Sequence, residues 1–96
     1  PDELLAAARA IASDIVEHSA PLSVSLTRQM MWRMLGAPHP MHAHRADSRA
    51  ILARGRSADA REGVESFLDK RAAVYTDRVS DGLPDVFPGW VEPGFE

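Results

Sequence analysis

Apolar side chains recur at helical spacing near the start of the chain. They are separated by three or four residues, so they fall on one side of a helix. Asp2 and Glu3 precede the run, where acidic charge favours the positive end of the helix dipole. Ser19 and Pro21 then indicate a stop and a new start. The pattern predicts a first helix built on Leu4, Ala8, Ile11, Ala12, Ile15 and Val16.

The second predicted helix, from about Pro21 to Leu35, carries apolar residues on two sides. One stripe consists of Leu22, Leu26, Met30 and Met34, and the other of Val24, Met31 and Leu35. Two apolar faces require two packing partners. The helix is therefore either central within the domain or shared between the domain core and a second body. The pattern alone leaves both interpretations open.

Two further helices are predicted before residue 76. Gly36 and Pro38 end the second helix, and a third follows from about Pro40 to Arg54. We expect Gly55 to close that helix in a left-handed conformation. Ser57 is the expected N-cap of a fourth helix. Helical structure is predicted as far as Tyr75.

The last twenty residues have no helical period and are rich in proline, glycine and aspartate. They also carry Phe87, Trp90 and Phe95. We expect an irregular arm whose aromatic rings dock on a surface. The predicted fold is all-α, with three to four helices in residues 1–76 and an irregular tail in residues 77–96.

Composition predicts a small core. Of the 96 residues, 15 are alanines, which favour helix but bury little area. A domain with so few large apolar side chains is marginal alone and is expected to rely on a larger protein or on copies of itself. The start at Pro1 fits either removal of a methionine or truncation.

Charge and cysteine content bear on partners and location. The net charge is −3, with both signs interspersed, which does not favour nucleic acid as a partner. The absence of cysteine excludes disulfides and thiol catalysis. No apolar run has the length of a membrane span or a signal-peptide core. The expected location is the cytoplasm, with no membrane partner.

Candidate chemistry is sparse. His39, His42 and His44 are close in sequence, but on a helix His44 points away from the other two, and four zinc ligands are not available there. No metal site is therefore predicted. There is no nucleophile elbow and no glycine-rich phosphate loop. The acidic residues lie at predicted helix starts or on polar helix faces, where a structural role accounts for them. No catalytic residue is therefore assigned.

One pair on the fourth helix deserves a functional interpretation. Phe67 and Lys70 are one turn apart in the predicted register and would be neighbours on the surface. A ring beside an ammonium group can hold a flat base next to a phosphate, by stacking and by charge. The competing interpretation is a buried phenylalanine with a lysine that extends its amine to solvent.

The same stretch resembles the C-terminal signature of the crotonase superfamily, the enoyl-CoA hydratases and isomerases. In that signature an acidic residue two before Arg-Glu-Gly opens a helix, which ends in an aromatic residue, two spacers and Lys-Arg. Ala73 departs from the family's frequent proline, and Arg28 lies in the region of a family lysine. The matching positions are Asp59, Arg61, Glu62, Gly63, Phe67, Lys70, Arg71 and Tyr75, the last replacing phenylalanine, within a resemblance that covers residues 4–76.

The resemblance implies a role around acyl-CoA thioesters. Crotonases stabilise the thioester enolate with two backbone amides of a larger N-terminal domain, which this chain does not match. The matched helical region builds trimer contacts and covers part of the CoA site, often on a neighbouring subunit. By this resemblance Phe67 and Lys70 would bind the adenine and phosphate end of CoA. No cofactor is implied beyond the CoA of the substrate.

The interpretation from sequence is a C-terminal domain of an enoyl-CoA hydratase/isomerase-like protein, inactive on its own. Its expected partners are the rest of the crotonase-fold protein, acyl-CoA, and further copies in a trimer or a dimer of trimers. The alternative is a self-standing helical interaction module without thioester chemistry. A histidine-dependent metal protein ranks third.

Overall fold

The computed structural model describes residues 1–95 and contains five helices and no strand within them. The all-α class and the four long helices predicted from the sequence are confirmed. The fifth helix is a single turn in the arm and was not predicted. The helices are α1 (Leu4–His18), α2 (Pro21–Met34), α3 (Pro40–Gly55), α4 (Ala58–Leu68) and α5 (Val79–Gly82).

The helix starts follow from local sequence. Pro21 and Pro40 occupy the first turns of α2 and α3, where the missing N–H is not needed. The ring of His39 caps α3, since its Nδ1 accepts the Met41 N–H at 3.0 Å. Ser57 caps α4 as predicted, because its Oγ accepts the backbone N–H of Ala60 at 3.1 Å.

The core is small and lies where α2 crosses α3 beneath the C-terminal arm. Alanines on α3 allow α2 to approach closely. One turn of the arm also packs against α2, and a Cβ added to Gly82 would lie 3.1 Å from Cδ1 of Leu22. Glycine is therefore favoured at that contact. The core consists of Leu22, Leu26, Ala46, Ala50, Val86 and Phe87, flanked by Met30 and Met34.

The second apolar face of α2 is open in the described chain. Val24, Met31 and Leu35 are 40%, 71% and 84% exposed, whereas the first stripe packs into the core. The structure thus separates the two faces that the sequence pattern predicted. Only one of them has its partner within residues 1–95.

Helix α1 contributes nothing to this core. All its residues are exposed, including large apolar ones on more than one side. Leu4, Ile11 and Val16 are each more than 60% exposed. The covering that such an apolar helix requires is not supplied by residues 1–95.

The predicted continuation of helix four to Tyr75 is wrong. Helix α4 ends at Leu68, and Lys70 adopts a left-handed φ of 55°. The Arg71 N–H then donates to the carbonyl of Ser66 at 3.0 Å, which closes the helix end. The left-handed closure expected at Gly55 is also wrong, since Gly55 is the last residue of α3 and has no positive φ.

The arm docks in part as predicted. Phe87 is buried and Trp90 is 38% exposed, but Phe95 is fully exposed, so the expectation fails for that ring. Val86 and Phe87 belong to the same core as α2 and α3. The domain division between residues 76 and 77 stays a prediction.

Candidate functional site

Phe67 and Lys70 lie together at the C-terminal end of α4. They are not one turn apart along a continuous helix, as the sequence predicted, because the helix has ended between them. The turn itself joins them, with the Lys70 N–H donating to the Phe67 carbonyl at 3.3 Å. Phe67 is 80% exposed and Lys70 is exposed. The competing interpretation of a buried phenylalanine is therefore wrong.

The turn that carries Lys70 is held from inside by Ser66. This residue is 4% exposed, and its hydroxyl donates to the Gly63 carbonyl at 3.2 Å. Its own carbonyl accepts the Arg71 N–H. The left-handed position between these two bonds is one that glycine usually occupies, because a Cβ is strained there. Lysine at this position therefore carries its cationic side chain on a turn whose backbone conformation is fixed by these hydrogen bonds.

A carboxylate on α4 orders the segment after the turn. Both oxygens of Glu62 accept from the guanidinium of Arg71, at 2.5 and 3.0 Å. Glu62 also accepts the Val74 N–H at 2.8 Å. The hydrogen bonds from Arg71 and then from Val74 lower the pKa of Glu62 to about 2. The same pairing raises the pKa of Arg71 further above its ordinary value.

A second carboxylate on α4 continues this anchoring. Asp59 is 2% exposed, and its Oδ1 accepts the N–H groups of Thr76 and Asp77 at 2.7 and 3.1 Å. Its Oδ2 lies 3.4 Å from Nη2 of Arg54. That guanidinium nitrogen also pairs with Asp77 at 2.9 Å. Residues 71–77 therefore lie antiparallel to α4 and are held there by hydrogen bonds to Glu62 and Asp59.

The motif residues thus divide into anchors and exposed groups. Asp59 and Glu62 accept hydrogen bonds from the segment after the turn, and Arg71 in that segment donates to Glu62, so these three residues fix the loop. Every buried side-chain nitrogen or oxygen in the described chain has a hydrogen-bond partner. Phe67 and Lys70 are the motif positions whose side chains lie exposed at the helix end. This arrangement can present an aromatic ring and a cation to a second body.

The exposed end of α4 extends the apolar surface around Phe67. Val64 and Leu68 are 61% and 70% exposed.

Tyr75 packs against α4 at Gly63, since a Cβ added to Gly63 would lie 3.6 Å from the tyrosine hydroxyl. The aromatic residue at the end of the motif therefore packs beside the glycine at its start.

The histidines do not assemble. His39 uses its ring as a helix cap, and in residues 1–95 no group of three or more histidine or acidic side chains is placed to hold a metal ion.

Within residues 1–95, no helix is both long and apolar enough to cross a bilayer.

Two sets of contacts were missed by sequence reasoning. The Arg54–Asp59–Asp77 cluster joins three segments, and nothing in the local pattern indicates it. The second set involves Arg33, whose guanidinium carbon lies over two rings of the arm, 4.6 Å from the Phe87 centroid and 5.2 Å from that of Trp90. The surplus of aromatic residues in the arm was the available signal for the second set.

Comparison with known proteins confirms the resemblance predicted from the sequence, since over 71 of its residues the chain is similar to proteins named enoyl-CoA hydratases. It is 35% identical to the enoyl-CoA hydratases ACTT3 and AFT3-1 of Alternaria alternata and 32% identical to AKT3-2 of the same fungus. The match covers 74% of this chain and 23% of each relative. The chain therefore spans about a quarter of the length of these relatives. No family model matches it.

Proposed function

We propose that the chain acts as the helical region of an enoyl-CoA hydratase/isomerase-like protein, where it covers the coenzyme end of an acyl-CoA and joins subunits. The observation that carries the proposal is the exposed pair Phe67 and Lys70 on a turn fixed by hydrogen bonds of the buried Ser66. The relatives' names supply the class of substrate. The proposed location is the cytoplasm.

The chemistry of the pair suits the outer half of coenzyme A. An adenine ring can stack on the Phe67 face, and phosphate oxygens can accept from the Lys70 ammonium group. Lys70 is the sole lysine among the 96 residues, so its amine can be followed individually. By the resemblance, the thioester-polarising amides belong to the larger crotonase domain. The 96-residue chain alone is therefore expected to be inactive.

The test of ligand binding uses the polypeptide extended to the length of its relatives. Replacement of Lys70 by glutamine should weaken acyl-CoA binding about five- to tenfold at low salt, or about 1–1.4 kcal/mol. Phe67→Ala should weaken it similarly. Arg61→Gln is the matched control, since Arg61 is an exposed cation on the same helix that lies outside the pair. Dissociation constants unchanged in both Lys70→Gln and Phe67→Ala would refute the coenzyme role.

Modification of Lys70 permits an independent measurement in the same extended polypeptide, because residues 1–96 contain no other lysine and the peptide that carries Lys70 can be identified. Acylation of the Lys70 amine by a small reagent, read by mass spectrometry of the peptide, should slow when acyl-CoA is bound. A pantetheine thioester, which lacks the nucleotide, should not protect the amine. Equal protection by both thioesters would place the amine away from the nucleotide.

The subunit contacts have a separate basis. The apolar side chains of α1 are exposed, and so are those on the second face of α2. We expect the chain to self-associate, and Ile11→Asp combined with Met31→Asp to abolish it in sedimentation. A folded monomer at high concentration would contradict this part. Self-association without any acyl-CoA effect of Lys70 would instead support the interaction-module alternative.

A further inference from the structure

A cleft of about 390 Å³ lies between the end of α2, the first half of α3 and the arm after α5. Its volume falls in the range of small-molecule sites. It does not include Phe67 or Lys70. The lining residues that carry rings or nitrogen donors are Trp32, Arg33, His42, Arg49, Phe87 and Trp90.

Arg33 is held in this cleft by two aromatic rings. Its guanidinium carbon lies 4.6 Å from the Phe87 centroid and 5.2 Å from that of Trp90. Stacking engages the face of a guanidinium, whereas its N–H groups point outward in the plane. Contact with the two rings therefore holds the guanidinium in place while its N–H groups serve as donors to an anion.

The arm already places a carboxylate beside these donors. Glu92 accepts from the indole Nε1 of Trp90 at 2.8 Å and lies 3.6 Å from Nη2 of Arg33. The Glu92 side chain is 76% exposed, so the pairing with Arg33 is a surface one that contributes little. The Arg33 and Trp90 donors therefore both meet a single carboxylate, and that carboxylate is exposed to solvent.

The remaining charge in the cleft is also positive. Arg49 makes no ion pair within residues 1–95. Glu92 lies beside Arg33 and Trp90, but no acidic side chain is among the described residues that line the cleft. Met34, Ala46 and Val86 contribute apolar wall to the cleft, beside the imidazole of His42. A complementary ligand has one anionic end and an apolar body.

We propose that this cleft binds a small organic carboxylate with a compact apolar body. The ligand's carboxylate pairs with Arg33 and Arg49 and displaces Glu92, while its body lies against the rings of Phe87 and Trp90. A carboxylate is favoured over phosphate because the bound group of the chain itself is a carboxylate and because the walls contribute apolar area. The site is independent of the coenzyme role of Phe67 and Lys70.

The test follows Trp90 fluorescence in the Trp32→Phe chain, in which Trp90 is the sole indole. The probes are cyclohexanecarboxylate, its neutral counterpart cyclohexylmethanol, and inorganic phosphate. Cyclohexanecarboxylate should bind saturably, and at least about tenfold more tightly than either of the other two. Equal affinity for the acid and the alcohol, or for the acid and phosphate, would overturn the proposal.

Three variants in the same background make the test specific. Arg49→Gln should weaken binding of the carboxylate about five- to tenfold, and Arg45→Gln, one turn away on α3 and outside the cleft, should leave it unchanged. Glu92→Gln should strengthen binding because the internal competitor is lost. Circular dichroism shows whether each variant is folded. A folded Arg49→Gln chain with parental affinity, or a Glu92→Gln chain with weaker binding, would refute the site.

Discussion

Nη2 of Arg54 lies 2.9 Å from the carboxylate of Asp77, although Arg54 lies in the last turn of α3 and Asp77 lies beyond α4. The same nitrogen is 3.4 Å from Asp59, whose side chain is almost wholly buried. Asp59 in turn holds the backbone of Thr76 and Asp77. Three separate segments therefore meet at one guanidinium, and the path of the loop after α4 depends on it.

Replacement of Arg54 by glutamine should lower the free energy of unfolding by about 3 kcal/mol, because it leaves the Asp59 carboxylate buried without its cation. Urea denaturation measures the change. Arg56→Gln is the matched control, since Arg56 is an exposed arginine two residues away with no ion pair in the described chain. Its variant should differ from the parent by less than about 0.5 kcal/mol. A loss below about 1 kcal/mol for Arg54→Gln would show that the cluster is dispensable.

The pairing of Glu62 with Arg71 predicts a stability loss in acid. The folded pKa of Glu62, about 2, lies below its ordinary value of 4.5. A carboxylate with a depressed folded pKa stabilises the protein above its unfolded pKa and loses that contribution as pH falls through the folded value. The Glu62 contribution should therefore be complete above about pH 5 and disappear towards pH 2.

The measurement compares the parent with Glu62→Gln in urea at several pH values. The difference in unfolding free energy should be constant near neutral pH and shrink from about pH 5 downward. Glu65→Gln is the control, since Glu65 is exposed on the same helix and has no side-chain partner in the described chain. A Glu62 difference independent of pH would contradict the pairing.

Lys70 occupies a backbone conformation that favours glycine. With φ at 55°, Lys70→Gly should stabilise the chain by roughly 0.5–1 kcal/mol, after allowance for the greater freedom of glycine in the unfolded state. Lys70→Gln retains the Cβ and should leave stability unchanged. Thermal denaturation distinguishes the two variants.

If the coenzyme role is correct, both Lys70 variants should weaken acyl-CoA binding equally, because both lack the ammonium group. A stabilised Lys70→Gly protein with impaired binding would show that the lysine is retained there for the ligand rather than for the fold. A Lys70→Gly chain less stable than the parent would contradict the assigned turn.

The arm should contribute strongly to stability through one of its phenylalanines. Phe87 is 8% exposed, packs in the core and stacks on Arg33, so Phe87→Ala should cost about 3 kcal/mol. Phe95→Ala removes a fully exposed ring and should have no measurable effect. Equal effects of the two substitutions on the urea midpoint would refute docking of the arm.

The starts of the helices were predictable because they are encoded locally. Pro21, Pro40 and Ser57 each act within one turn of their own position. The end of α4 was not predictable, because the local preference of residues 69–73 allows the helix to continue. The carboxylates of Asp59 and Glu62 outweigh that preference by accepting backbone N–H groups from residues 74–77. Tertiary hydrogen bonds of this kind leave no periodic signal.

The candidate site shows the same division. The resemblance identified Phe67 and Lys70, and the structure places both at the exposed end of α4. The register assumed for them was wrong, since Lys70 follows the helix instead of continuing it. The cleft around Arg33 and Arg49 depends on how the arm folds over α2 and α3. Such a juxtaposition arises from the chain's path and cannot be read from spacing.

The solvent exposure of every residue of α1 bears on the order in which this protein folds and assembles. A helix of 15 residues with no buried side chain has only its alanine-rich backbone preference to maintain it, and such helices are marginal in water. Its amide protons should exchange within moments in the lone chain and slowly once its apolar side chains are covered. Formation of α1 and engagement of its partner would then be a single thermodynamic event, in which the entropy lost on ordering the segment is offset by contacts made outside it.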